Sequence, residues 1–69
     1  MRADRVDVSW DAQKSQWLVR ITSGEEVLRR HVKLPNNADA AALQAAARQT
    51  VSDEGYEVDP SQITVARSA

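Results

Sequence analysis

The side chains able to do chemistry fall into three groups. Arg20, Arg29 and Lys33 place three fixed cations, with His31 among them, on segments that alternate apolar and polar residues. Asp53, Glu54, Glu57 and Asp59 crowd around Gly55, and Trp10 and Trp17 flank a short polar stretch. Cations on one strand face can grip an anion or a phosphate backbone. Clustered carboxylates can hold a cation or a basic partner, and an aromatic pair can stack on a base.

Each group is tested by what its chemistry would still need. His31 is the single histidine. As a base it requires a nucleophile and an orienting acceptor, and the neighbours the strand pattern supplies are Arg and Lys. As a metal ligand it lacks partner His or Cys residues. The run D-E-G-Y-E-V-D over 53–59 does not match the alternate acceptor positions of a calcium loop. A solvated turn, or an acidic patch for a basic partner, suits it better. None of the phosphate-cradling, dinucleotide-binding, serine-nucleophile or zinc-protease motifs occurs. The two tryptophans suit core packing better than ligand stacking, because the helix opposite them is mostly alanine. No enzyme, no cofactor and no metal are expected.

Composition narrows the remainder. The chain has 69 residues, with nine Lys and Arg against ten Asp and Glu, for a net charge of −1. That balance disfavours a general nucleic-acid binder, so any basic surface has to come from segregation of charge. Cysteine is absent, which excludes a disulfide scaffold and thiolate metal sites. Eleven of the hydrophobic residues are alanine, leaving a thin set of larger apolar side chains for a core. No apolar run is long enough for a membrane helix, and the first five residues lack a signal-peptide core. The expectation is one cytoplasmic module over 1–69, ordered from about 5 to 67.

The elements follow from periodicity. Arg5–Trp10 alternates with Val6, Val8 and Trp10 on one face. Gln16–Thr22 places Trp17, Val19 and Ile21 together, and Val27–Leu34 does the same for Leu28, Val32 and Leu34. This third strand is expected to be the longest, with Pro35 ending it. Asp11–Ser15 and Ser23–Glu26 are the turns, with Gly24 supplying a positive φ. Seven alanines among residues 38–47 predict a helix over 38–52, with Asn36-Asn37 as cap, Asp39 in the first turn and Gly55 at the left-handed stop. Its apolar stripe is Ala40, Leu43, Ala47 and Val51. Asp59-Pro60-Ser61 is a turn, and Gln62–Arg67 is a short fourth strand. The fold class is α+β, a two-layer βββαβ sandwich. It has a three-stranded antiparallel meander, one Ala-rich helix and a fourth strand parallel to the first and third, beside one or the other of them, with the order 4-1-2-3 favoured.

The predicted core is Val6, Val8, Trp10, Trp17, Val19, Ile21, Leu28, Val32, Leu34, Leu43, Ala47, Val51, Ile63 and Val65. The opposite sheet face then carries Asp7, Ser9, Leu18, Arg20, Thr22, Val27, Arg29, His31, Lys33 and Thr64, with Arg20, Arg29, His31 and Lys33 clustered beside Leu18 on adjacent strands. That cluster is the candidate binding face, set against acids on and after the helix. A protein partner, or a second copy, is the expected ligand of this face, and nucleic acid is the alternative.

The pattern V-D-V-S-W, Q-W-L-V-R-I, R-H-V-K-L, A-A-L-Q-A-A-A and I-T-V-A-R resembles small bacterial βββαβ modules, the HicB-type antitoxin N-terminal domain and its relatives. The resemblance spans about residues 5–67 and implies an Ala-rich helix on a three- or four-stranded sheet, with an antitoxin-like, non-catalytic role. Ser23-Gly24-Glu25-Glu26 stands where that family usually has a proline-glycine segment. The first 50 residues also resemble sheet-reading DNA modules, the plant AP2-type domains and the arm-binding domains of phage integrases. That likeness implies a reading face of Arg20, Arg29 and Lys33.

Overall fold

A computed structural model describes residues 2–66, in the order β1 (Arg5–Asp11), β2 (Gln16–Ser23), β3 (Glu26–Val32), α1 (Ala40–Asp53), a 3-10 turn (Pro60–Gln62) and β4 (Ile63–Ala66). The sheet runs β3-β2-β1-β4, with β1, β2 and β3 antiparallel and β4 parallel to β1. This is the expected βββαβ topology and strand order. Arg67, expected to end the fourth strand, lies outside the described residues.

The turns form where local chemistry allows them. Between β1 and β2, Asp11 Oδ1 accepts from the Gln13 and Lys14 amides, and Ser15 takes φ +53°. An aspartate closing its own turn in this way needs no glycine. Between β2 and β3, Ser23 pairs with Glu26 across a two-residue loop, and Gly24 has φ +60° in its first position. Glycine there fits a type II′ hairpin, whose twist matches its strands.

Helix α1 starts later than expected. Asn36 and Asn37 belong to a turn in which the Ala38 amide donates to the Pro35 carbonyl, and the cap is Asp39, whose Oδ1 accepts from the Ala42 amide at 2.8 Å. Asp39 is therefore outside the helix rather than in its first turn, and Ala40, as first helical residue, is exposed. At the other end the Gly55 amide donates to the Ser52 carbonyl and the Tyr56 amide to that of Val51. With Gly55 at φ +84°, this is a Schellman stop.

Leu43, Ala47 and Val51 of α1 pack on Val6, Val8, Trp17, Val19, Ile21 and Ile63. Trp17 is 1% exposed, donates Nε1 to the Pro35 carbonyl at 2.9 Å and meets half-buried Trp10 edge-to-face at 5.4 Å. Its indole thus fills the space left by small helix residues while its one donor is satisfied. Trp10, Leu28, Val32, Leu34 and Val65 flank this core, half-buried. Two buried residues were not expected, Ala3 and Ala38. Ala3 is drawn in because the chain before β1 is already extended: its amide donates to Glu57, and the Asp4 amide donates to Thr22. Glu57 bridges Arg2, which brings Tyr56 and Val58 against the core.

The third strand is shorter than expected. It ends at Val32, opposite Trp17, and β2 is longer by one residue. Leu34 would lie beyond Gln16, where β2 has begun, so it has no partner strand to pair with.

Candidate open-face site

The register arranges the uncovered face in rows. One row reads Thr64, Asp7, Arg20, Arg29 across β4, β1, β2 and β3. The next reads Ala66, Ser9, Leu18, His31. Toward the β2–β3 hairpin, Arg5, Thr22 and Val27 form a third. Of the five candidate residues, Arg20 and Arg29 are thus directly opposed, as are Leu18 and His31. Lys33 lies just past the end of β3, exposed.

Alternation alone implied a more basic face than the one that forms. Asp7 sits between Arg5 and Arg20, with Oδ1 3.0 Å from the Arg5 guanidinium and Oδ2 3.3 Å from that of Arg20. The hydrogen bond from Arg5 holds the Asp7 carboxyl below its usual range, and that from Arg20 adds to this against the opposing effect of burial. His31 has a carboxylate for a neighbour: its Nε2 lies 3.1 Å from Asp11 Oδ2. That contact crosses over β2, because Asp11 pairs with Gln16 and His31 with Leu18. The His31 hydrogen bond, aided by the Lys14 and Gln13 amides, holds the Asp11 carboxyl low as well. Arg29 and Lys33 are left as the candidate cations without a carboxylate partner among the described residues.

The Asp11–His31 pair was missed because Asp11 reads as a loop residue. Extending the alternation of Arg5, Asp7 and Ser9 by one step would have placed it on this face. Beside the His31–Asp11 contact, the nearest row holds Leu18, Ser9 and Ala66. Ser9, in the same row, borders a shallow hollow lined also by Asp7, Leu18, Arg20 and Ala66.

The covered side of β3 differs. Arg30, opposite Val19, turns to the helix end, where its guanidinium meets Glu54 at 2.7 Å. Helix α1 lies over β1, β2 and β4, so Leu28 and Val32 of β3 stay half-buried. Val27, at 42%, is the exposed large hydrophobic residue among those described. The acidic cluster after the helix is likewise dispersed: Glu54 faces Arg30, Asp53 accepts from Gln49, and Asp59 caps the 3-10 turn through the Ser61 amide and hydroxyl.

Among the described residues no group of three or more His, Cys, Asp or Glu is placed to hold a metal ion, and no helix is long and apolar enough to cross a membrane. Compared with protein-family models, curated proteins and solved structures, the chain has no match.

Proposed function

We propose that this protein is a small non-catalytic interaction module that takes a polypeptide partner at the free edge of β3, with Leu18, Val27 and Arg29 of the open face beside it. The observation that carries this reading is the edge itself. β3 has seven residues, pairs with β2 on one side, and is bordered by the exposed Val27. An unpaired strand edge offers main-chain donors and acceptors in register, which an extended peptide can satisfy by adding a strand. The antitoxin-like form of the reading, with a small toxin protein as the partner, rests on the strand pattern alone. The pairing of Arg20 with Asp7 weighs against nucleic acid, since it leaves few cations free for phosphate.

Selection of a random displayed peptide library on the immobilised protein tests this. Peptides should be enriched that bind the wild type and are lost with Arg29→Pro. Proline removes an outward amide at an edge position while leaving the ladder to β2 in place. The outcome that sinks the reading is binding to generic duplex DNA that weakens steeply with salt and disappears in Arg20→Ala/Arg29→Ala/Lys33→Ala, with no Arg29→Pro-sensitive peptide recovered.

A further inference from the structure

We infer that a second copy of this chain can occupy the β3 edge, making a two-fold symmetric dimer with Leu28 on the axis and one continuous eight-stranded sheet. This rests on the β3 edge being the interaction surface and adds the identity and register of its occupant.

The register follows from three facts. First, a two-residue hairpin is closed by a hydrogen-bonded pair, and such pairs alternate along an antiparallel ladder. Ser23–Glu26 closes the loop, so Ile21–Leu28 and Val19–Arg30 are also hydrogen-bonded pairs. The amides and carbonyls of Glu26, Leu28 and Arg30 therefore point to β2. Those of Val27, Arg29 and His31 point outward, free to bond another chain. Second, a two-fold axis that pairs identical edges antiparallel runs perpendicular to the sheet, so residues of the same face oppose one another. Third, like charges directly opposed across strands are unfavourable and opposite charges favourable.

Centring the axis on Arg29 or Arg30 sets that arginine against its own copy. Centring it on His31 sets Arg29 against Lys33 of the second copy. Centring it on Val27 leaves only Glu26, Val27 and Leu28 of each strand overlapping. With Leu28 on the axis, Val27 and Arg29 form hydrogen-bonded pairs with each other in both directions. Glu26 then faces Arg30 of the second copy, twice over by symmetry. Those charges sit in the closer, non-hydrogen-bonded positions, and Arg30 already has Glu54 beside it. On the open face the arginine stem covers Val27. On the other face Leu28 meets Leu28 in the space that α1 does not cover.

Sedimentation equilibrium with charge-swap variants tests the proposal. The wild type should dimerise as concentration rises. Glu26→Arg and Arg30→Glu should each weaken self-association roughly tenfold, since two facing pairs turn repulsive. An equimolar mixture of the two variants should recover a heterodimer, because both facing pairs become complementary again. A second variant reads the axis directly and does not depend on the charges. The chain has no cysteine, so Leu28→Cys introduces a single thiol. It should oxidise to a disulfide-linked dimer, whereas Glu26→Cys and Arg30→Cys, held away from their own copies, should not. A wild type that stays monomeric at millimolar concentration overturns the dimer, while Arg29→Pro-sensitive peptide binding would still stand. A dimer indifferent to Glu26→Arg, with no Leu28→Cys cross-link, overturns the register.

Discussion

The sheet beneath the helix and the β3 border are made of similar residues, yet they hold together in different ways. Under α1, alternation translates directly into burial: Val6, Val8, Trp17, Val19, Ile21 and Ile63 are almost fully enclosed. On β3 the same alternation gives Leu28 and Val32, which remain half-buried, because the helix lies over the other three strands. Alternation tells which residues share a face. It does not tell how far the covering layer extends. The first region is stabilised by apolar packing, which loses little to solvent or salt. The second relies on polar contacts that face water, such as the Arg30–Glu54 ion pair and the Asp11–His31 hydrogen bond.

The largest separation between the two regions should appear on truncation. Trp17→Ala removes an enclosed indole, its hydrogen bond to Pro35 and its contact with Trp10. A loss of about 3–5 kcal/mol is expected, enough to unfold much of a domain this small. Leu28→Ala, measured in dilute solution, should cost about 1 kcal/mol, in line with a side chain only half removed from water. Urea unfolding of both variants checks the contrast. Equal losses would mean that the β3 border is as much part of the core as the strands beneath the helix.

The same contrast explains how much could be read from the sequence. Strand pairing in the meander follows from alternation and short connections, whereas the position of β4 beside β1 does not, since a crossover to the outer side of β3 was equally open. Trp17 as the filler of an alanine-faced helix follows from volume. Ala3 could not be found by alternation, because it precedes the pattern and is drawn in by long-range bonds, from its own amide to Glu57 and from the Asp4 amide to Thr22. Asp39 was hidden as cap by two better-placed asparagines, which the Pro35–Ala38 turn removes from the helix. On the candidate face, the positions of Arg20 and Arg29 were legible. The Asp11–His31 contact was not, since Asp11 reaches His31 across an intervening strand.

The next effects are local and similar in size. Asp39→Ala removes the cap acceptor of α1 and should cost about 1 kcal/mol, with Asp39→Ser largely retaining stability. Gly24→Ala should cost about 1 kcal/mol as well. A Cβ there meets nothing within 4 Å, so the whole cost is backbone strain at positive φ. Both are checked by thermal melts. The first loosens the helix-covered region and the second the hairpin that carries β3. Hydrogen exchange should therefore report the first change in α1 and the second in β2–β3.

The smallest effect separates the two regions by pH. Asp7 and Asp11 both titrate below the ordinary aspartate value of 3.8 when folded, Asp7 through Arg5 and Arg20, Asp11 through His31 and its turn amides. A carboxyl lowered by folding lends stability above its unfolded value and loses it as pH falls through the folded one. The open face should therefore weaken only in acid below about pH 4, while the apolar contacts under α1 are unaffected by protonation. His31→Ala removes the first cause of the Asp11 shift. In a proton-carbon NMR titration, Asp11 should then move up toward 3.8 while Asp7 stays where it was. Arg5→Ala should do the reverse. If His31→Ala moved both carboxyls together, the open face would be one coupled network, and its rows could not be assigned separate partners.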